Sequence, residues 1–313
     1  MENIKEFAVM VLNGIASWLP EDYKDTEIRL DTVIKNNDLK LTGLIIKKNG
    51  SNIAPTIYLE PFYEKYLCGS SLSDVLKEIA ELRVESDLEG NYDMSEILDF
   101  ENCRDKIFPR IVSRDMNTER LKERPYMTVA DLAIVFVIVI GEEKLHTETI
   151  TINNHLMNTW GITAEELQQI AMNNLANAQM GTFQLIGDAI MEIMSPDLLE
   201  FFGGDRELAE QMFQDCTPEG VEMHVVSTKN HLFGATILLD KDFMQRVIAQ
   251  IGQDFYILPS SVHECLLITS EEKLEVEQLR RLVRSVNEDQ LPPEDRLSDQ
   301  VYRYTAEAGL MLA

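Results

Sequence analysis

Two short apolar runs on either side of a polar turn constrain how the C-terminal third of this chain can fold. Residues 255–258 and 265–268 are apolar, and residues 259–264 between them are Pro-Ser-Ser-Val-His-Glu. Apolar runs of this length, bounded by proline and serine, predict two strands joined by a turn. The turn and Cys265 form the one place in the sequence where Ser, His, Glu and Cys fall within six residues. The turn therefore brings together the side-chain types from which a catalytic site could be built.

The composition predicts a folded chain with a strong negative charge. Hydrophobic residues make up 45% of the 313 residues, which is enough for a packed core. Lysine and arginine total 28 against 54 aspartates and glutamates, so the formal net charge is −26. This charge repels phosphate backbones and anionic membrane surfaces, and it argues against direct binding to nucleic acid or membrane. It favours solubility, or an acidic surface that binds a basic protein partner.

The cysteines and the apolar segments predict a cytoplasmic protein. Cys68, Cys103, Cys216 and Cys265 are far apart, so zinc ribbons and dithiol redox sites are not supported. Charged residues near the N-terminus interrupt the apolar segment that a secretory signal needs. The longest fully apolar run, residues 132–140, is far shorter than the ~20 residues that span a bilayer, and it predicts a strand buried on both faces. We therefore expect reduced thiols and no membrane segment.

Hydrophobic periodicity predicts an α+β fold in two lobes, each with a mixed or antiparallel sheet and helices packed on it. The first lobe covers residues 1–178 and the second residues 179–313. An amphipathic helix that ends before Pro20 opens the chain, and a capping box at Thr163 predicts another helix. Within the first lobe the order strand, aromatic segment, glycine and helix occurs twice, which fits either an internal duplication or convergence. The strands of this lobe are predicted at residues 27–34, 40–47, 53–59, 131–140 and 148–152.

The second lobe is predicted to have the element order ββαββα. Residues 222–228 and 235–239 are predicted to form a hairpin, and a helix separates it from the two strands around the polar turn. After a break at two consecutive prolines, a final helix is predicted to begin at the Leu-Ser-Asp string of residues 297–299.

The candidate catalytic residues are Ser260, Ser261, His263 and Glu264 in the polar turn. They include the groups of a hydrolase triad, but adjacent side chains on an extended strand point to opposite faces. His263 and Cys265 would share a face, although the apolar run after Cys265 predicts a buried, inert thiol. The alternative is structural: the proline bends the chain, the hydroxyls bond turn amides, and His263 bonds a neighbouring element.

The sequence predicts neither a bound metal nor a cofactor. The His-Glu pair of the turn lacks the second histidine of a zinc-protease motif, because Leu267 occupies that position. His224 and His231 flank the predicted hairpin and could face each other. Histidines are common in turns that bind no metal, so this pair does not by itself predict a metal site. Neither glycine-rich phosphate-binding pattern occurs in the sequence.

One segment, residues 104–124, reverses the acidic balance of the chain. We expect it to bind carboxylates of the same chain, and the alternative is a basic anion-binding patch, which Glu119 and Glu123 weaken. Its basic residues are Arg104, Lys106, Arg110, Arg114, Arg120, Lys122 and Arg124.

Five strings of residues, 54–60, 130–135, 153–161, 258–264 and 297–304, are recognisable as a set. The most specific is the Pro-Ser-Ser-Val-His-Glu turn, and the last contains Leu-Ser-Asp-Gln-Val-Tyr. Together they resemble an uncharacterised domain-of-unknown-function family found mostly in anaerobic Gram-positive gut bacteria. The resemblance covers nearly the whole chain and implies one co-folding unit in which the polar turn and the Leu-Ser-Asp segment belong together. It implies no activity, cofactor or catalytic residue.

The function that these observations favour is an interaction or regulatory protein whose acidic surface binds a basic protein partner. The acidic residues of segments 85–99 and 288–299 are the candidate docking surface, because both segments lie in predicted connections. Two alternatives remain open from sequence. One is a DNA mimic that inhibits a nucleic-acid-binding protein, and the other is a hydrolase-like enzyme centred on residues 260–264.

Overall fold

The computed structural model describes residues 3–86, 94–143, 146–193, 221–270 and 275–313. Its contacts divide the chain into two units, Met1–Ile97 and Leu98–Ala313. The boundary that sequence patterning predicts at 178–179 falls between the helix Ala164–Ala178 and the strand Gly181–Leu185 of the second unit. Both units combine antiparallel strands with helices, which confirms the α+β prediction. Within the described ranges, no helix has the length and apolar character needed to cross a membrane.

The first unit is built on a three-stranded antiparallel sheet in the order β1-β2-β3. Its first helix begins at a capping box in which Asn3 accepts hydrogen bonds from the backbone of Lys5 and Glu6. The apolar face of that helix packs into the core together with the sheet. The elements are α1 (Ile4–Gly14), β1 (Glu27–Ile34), β2 (Lys40–Lys47), β3 (Thr56–Tyr58), α2 (Glu60–Leu67) and α3 (Leu72–Glu85).

A buried arginine ties α3 to the sheet of the first unit. Arg83 is only 2% exposed. Its Nε donates to the carbonyl oxygen of Ile46 at 2.9 Å, and its Nη1 donates to the Tyr23 hydroxyl at 3.1 Å. These bonds replace the water that the guanidinium loses on burial, which explains how the core holds a charged side chain.

The second unit contains two sheets, and the first has the long strand β6 at its centre. β4 pairs with one edge of β6, and β5 and β7 pair with the other. Residues 132–138 of β6 are buried, as the apolar run predicted. The elements are α4 (Met94–Leu98) at the division between the units, α5 (Phe100–Cys103), β4 (Ile107–Ser113), β5 (Met127–Val129), β6 (Leu132–Glu143), β7 (His146–Thr151), α6 (Asn154–Trp160) and α7 (Ala164–Ala178).

The other sheet of the second unit has six antiparallel strands in the order β13-β12-β10-β11-β9-β8. One face packs on the last helix, α10, through residues such as Leu258, Ile268 and Val283. The elements are β8 (Gly181–Leu185), α8 (Ile186–Ile193), β9 (Val221–Thr228), α9 (Lys241–Ile251), β10 (Phe255–Pro259), β11 (Cys265–Ser270), α10 (Val276–Gln290), β12 (Tyr302–Thr305) and β13 (Gly309–Leu312).

Two predicted elements of the C-terminal third were wrong. The second strand of the predicted hairpin, residues 235–239, is instead part of a 3-10 helix, Gly234–Leu239, and all six of its residues are buried. A short run of apolar residues has no alternation to separate strand from buried helix. The predicted final helix does not form: residues 302–305 are the strand β12, and the alternation of a strand is seen in buried Tyr302 and Tyr304 on either side of exposed Arg303.

Candidate functional site

The 259–264 turn lies between β10 and β11, as the sequence predicted. Pro259 pairs with Cys265 at the end of the two strands, and the backbone N–H of Ser261 donates to the carbonyl oxygen of Glu264 at 3.1 Å. The N–H of Val262 donates to the carbonyl oxygen of Asp295 at 2.8 Å. The turn is therefore fixed by its own backbone and by the segment that follows α10.

His263 joins this turn to two other parts of the unit. Its Nδ1 accepts a hydrogen bond from the backbone N–H of Phe233 at 3.1 Å, and its Nε2 lies 3.4 Å from Oδ1 of Asp295. Because Nδ1 is the acceptor, a neutral imidazole carries its proton on Nε2, toward the Asp295 carboxylate. The side chain is 30% exposed, so both bonds form in a half-buried environment. This is the geometry expected of a structural histidine.

The hydroxyl groups of the two serines are hydrogen-bonded to groups other than the His263 imidazole. Ser261 is buried, and its Oγ accepts from the backbone N–H of His263 at 3.0 Å. The Ser260 Oγ donates to Oε1 of Glu264 over a long 3.4 Å. Within the described part of the chain, neither hydroxyl is hydrogen-bonded to the His263 ring. A serine nucleophile needs a base within hydrogen-bond reach, and the turn does not supply that pairing.

The thiol of Cys265 lies in the core on the sheet face that also carries Tyr302. It is fully buried, and burial together with the charge of Glu264 raises its pKa. A raised pKa keeps the group a thiol at neutral pH, whereas the thiolate is the nucleophile. A His263–Cys265 pair would therefore lack the thiolate that a cysteine nucleophile requires.

Gly234 allows the loop after β9 to pack directly on the turn. The hydroxyl of Ser227 donates to the carbonyl oxygen of His263 at 2.7 Å. The backbone N–H of Ala235 donates to the carbonyl oxygen of Val262 at 3.3 Å. Phe233 has a left-handed backbone (φ 51°), which directs its N–H toward the imidazole. The turn and this loop thus form one hydrogen-bonded assembly.

A second polar cluster joins two of the strings recognised in the sequence. Asp131, just before β6, accepts a hydrogen bond from the Tyr302 hydroxyl at 2.7 Å and another from the Ser298 hydroxyl at 3.2 Å. Tyr302 is 1% exposed and Ser298 is 2% exposed. Burial raises the pKa of Tyr302, so its hydroxyl stays protonated and donates. The sequence shows both strings, but no pattern in it indicates that the Asp131 carboxylate of the first string contacts Ser298 and Tyr302 of the second.

Asn287 on α10 holds the same segment from its other side. Its Nδ2 donates to the carbonyl oxygen of Ser298 at 3.0 Å and to Oδ1 of Asp299 at 2.7 Å. The residue is buried on α10, one helical turn after the buried Val283. The polar groups of residues 295–302 are therefore largely used in holding the fold together.

The basic segment 104–124 divides into two kinds of residue. Arg104, Arg114 and Lys122 each lie within 4.0 Å of an exposed carboxylate one to three positions away. Arg110 instead places its guanidinium carbon 3.4 Å from the centroid of the Phe233 ring. Among the described residues, no carboxylate lies within ion-pair distance of Arg110 or Arg124. For these two arginines, the expectation of internal carboxylate partners stays a prediction.

No catalytic or metal-binding constellation is assembled from the described residues. No group of three or more His, Cys, Asp and Glu side chains in that part of the chain could hold a metal ion. The predicted facing of His224 and His231 across a hairpin does not arise, because the second strand is a 3-10 helix. A cavity of about 420 Å³ lies near Gln168, Lys241 and Tyr304, away from the 259–264 turn.

Replacing His263 with alanine should lower the free energy of unfolding by about 1–3 kcal/mol, because the Phe233 N–H loses its acceptor in a half-buried position. His263→Asn, which keeps an acceptor near Nδ1, should recover part of that loss. Urea denaturation measures both. His155→Ala, at an exposed position of the same unit, is the matched control and should change stability by less than about 0.5 kcal/mol. Unchanged stability of His263→Ala would contradict the structural role.

A search of curated proteins and a search of solved structures each gave no match. The model of the family of unknown function DUF5688 matches residues 4–306, and the chain therefore belongs to that family.

Proposed function

We propose that this protein is an interaction or regulatory protein that binds a basic protein partner through acidic surface residues. The observation that carries the proposal is the net charge of −26 on a chain with a packed core in each unit. A charge of this size produces a strong field at the protein surface, which attracts a basic surface and speeds its association.

The hydrogen bonds of the 259–264 turn support a binding role over a hydrolytic one. His263 bonds the Phe233 backbone, Ser261 bonds the His263 backbone, and Ser260 bonds Glu264. A hydrolase centred on these residues would need at least one of these bonds to be exchanged for a serine–imidazole bond. The hydrolase alternative therefore has no supporting geometry among the described residues.

Two carboxylates of the second predicted docking segment, residues 288–299, have partners within the chain. Asp295 faces His263 and Asp299 accepts from Asn287, so these two carboxylates serve internal contacts. Glu288 and Asp289 at the end of α10 are exposed. The first predicted segment lies partly outside the described residues, since 87–93 are not among them. We therefore place the testable part of the docking surface at Glu288 and Asp289.

The proposal predicts capture of a basic partner that weakens steeply as salt rises. The purified protein is immobilised and exposed to an extract of its source cells at low and at high ionic strength. Salt shortens the Debye length from about 30 Å at 0.01 M to about 8 Å at 0.15 M, so a partner held by surface charge should be released.

Two variants make this test specific to the surface. Glu288→Gln with Asp289→Asn should reduce capture at low salt. Glu275→Gln with Glu307→Gln removes the same charge at other exposed positions and should leave capture nearly unchanged. Capture that does not depend on salt, or recovery of no basic protein, would contradict the proposal. A captured nucleic-acid-binding protein that added DNA displaces would favour the mimic alternative.

Two further predictions from sequence remain part of this proposal. Cys68, Cys103 and Cys265 are free thiols. Free thiols agree with a reducing compartment, and we propose a cytoplasmic location. The family's proposed distribution in anaerobic gut bacteria rests on the sequence resemblance alone.

A further inference from the structure

A cavity of about 420 Å³ lies within the second unit, between α7, α9, the 3-10 helix and the β12–β13 hairpin. α7 contributes Gln168 to its wall, and α9 contributes Lys241 and Gln245, which lie four positions apart on one face of the helix. Tyr304 and residues 306–310 of the hairpin line another side. Small-molecule sites in proteins have volumes of roughly 300–1,000 Å³, so this cavity has the size of a ligand site.

Tyr304 brings an unused hydroxyl group to this cavity. The residue is only 6% exposed, and its ring stacks on Phe255 with the ring centroids 5.6 Å apart. Among the residues that the structure describes, none is hydrogen-bonded to its hydroxyl, whereas the hydroxyl of Tyr302 in the same strand donates to Asp131. The Tyr304 oxygen is not fully enclosed, so it opens to the space that its ring lines. Buried tyrosine hydroxyls usually have a partner, and this one is available to a ligand in the cavity.

Two opposite charges border the same cavity. Lys241 is the first residue of α9, and Glu307 lies in the turn between β12 and β13. Within the described ranges, neither side chain forms an ion pair or a hydrogen bond, and the same holds for the amides of Gln168 and Gln245. A molecule in the cavity therefore meets an ammonium group, a carboxylate, two amides and a phenol hydroxyl that are not engaged by those parts of the chain.

The rest of the wall is mainly apolar. Its side chains come from β5, β6, α7, the 3-10 helix and β13, and they are Val129, Ile134, Met172, Leu238, Leu239 and Leu310. Contact with these groups removes apolar surface of a ligand from water, which favours binding. The cavity thus combines an apolar surface with one positive and one negative side chain.

We infer that this cavity binds a free α-amino acid with an apolar side chain, whose carboxylate is bound by Lys241 and whose ammonium group is bound by Glu307. A zwitterion satisfies both charges at once, whereas a simple anion or cation is attracted by one of them and repelled by the other. The Tyr304 hydroxyl and the two glutamine amides supply further donors and acceptors for the same two groups of the ligand. The apolar wall takes the side chain.

Thermal unfolding with L-leucine and two analogues tests the recognition of both charges. Leucine should raise the melting temperature in a saturable way, since a ligand that binds only the folded state stabilises it. Leucinamide keeps the ammonium group without the carboxylate, and 4-methylpentanoate keeps the carboxylate without the ammonium group. Each analogue should bind at least about tenfold more weakly than leucine. An analogue that binds as tightly as leucine, or no stabilisation by leucine, methionine and phenylalanine, overturns the inference.

Single substitutions assign each charge of the ligand to one side chain. Lys241→Met should weaken leucine binding at least about tenfold and leave the weak binding of leucinamide unchanged. Glu307→Gln should weaken leucine binding and leave that of 4-methylpentanoate unchanged. Lys106→Met removes an exposed lysine of the same unit that does not line the cavity, and it is the matched control that should bind leucine like the wild type.

Tyr304→Phe keeps the test valid if a charge variant folds poorly. It removes a hydroxyl that has no hydrogen-bond partner in the described chain, so stability without ligand should stay near that of the wild type while leucine binding weakens. Leucine binding of wild-type strength in Lys241→Met, Glu307→Gln and Tyr304→Phe would show the inference to be wrong. Glu288 and Asp289 of the proposed docking surface do not line the cavity, so this outcome is independent of partner capture.

Discussion

Replacing Gly234 with alanine is expected to destabilise the second unit by about 3 kcal/mol, because the added methyl group has no free space at this position. A Cβ at this position would overlap the Ser227 hydroxyl and the carbonyl oxygen of His263, and it would lie 2.7 Å from the backbone nitrogen of Thr228. Two of these three atoms belong to the backbone, which cannot rotate away as a side chain can. The change should therefore separate the loop after β9 from the 259–264 turn.

Urea denaturation of Gly234→Ala measures this effect, and Gly187→Ala provides the matched control. Gly187 lies in α8 of the same unit, and a Cβ there meets no atom within 4 Å. Alanine in a helix favours folding over glycine by up to about 1 kcal/mol, so the control should be neutral or slightly stabilising. Equal unfolding free energies for Gly234→Ala and wild type would mean that the loop and the turn are not packed as described.

Replacing Asp131 with alanine should lower the free energy of unfolding by about 2–4 kcal/mol, because two buried hydroxyls lose their acceptor at once. Tyr302 and Ser298 both donate to this carboxylate. Tyr302→Phe removes one donor together with its need for a partner, so its own effect should be smaller. Chemical denaturation of the two single variants and the double variant forms a thermodynamic cycle.

The cycle distinguishes a specific bond from general disruption. In the Tyr302→Phe background, Asp131→Ala should cost less than in the wild type, since only Ser298 remains without an acceptor. Strict additivity of the two changes would refute the coupling. Asp254→Ala breaks the exposed ion pair with Arg303 and should change stability by no more than about 1 kcal/mol.

Features determined by neighbouring residues were accessible from the sequence. The capping box at Thr163 and the paired strands around the 259–264 turn form as predicted, because a few residues along the chain fix each of them. The buried strand β6 was equally predictable, since a continuous apolar run of its length leaves few alternatives.

Features that depend on tertiary contacts were not accessible in the same way. The run at residues 235–239 has the composition of a strand, and only its packing makes it a 3-10 helix. Tyr302 and Tyr304 fit a helical or an extended pattern until β10 is present to pair with β12. Nothing near Arg110 in the sequence indicates Phe233, because the partner of this arginine lies 123 positions away.

The position of β12 within its sheet sets the order in which the second unit can fold during synthesis. β12 lies between β13 and β10, so β10 has no partner on that edge until residues 302–305 have emerged from the ribosome. The bond from Tyr302 to Asp131 spans 171 positions and closes late for the same reason. A nascent chain that stops before β12 therefore exposes an unpaired strand edge and lacks the Tyr302 hydroxyl that donates to Asp131. Unpaired edges favour aggregation, so ribosome-bound chains of this length should depend on chaperones more than the released protein does.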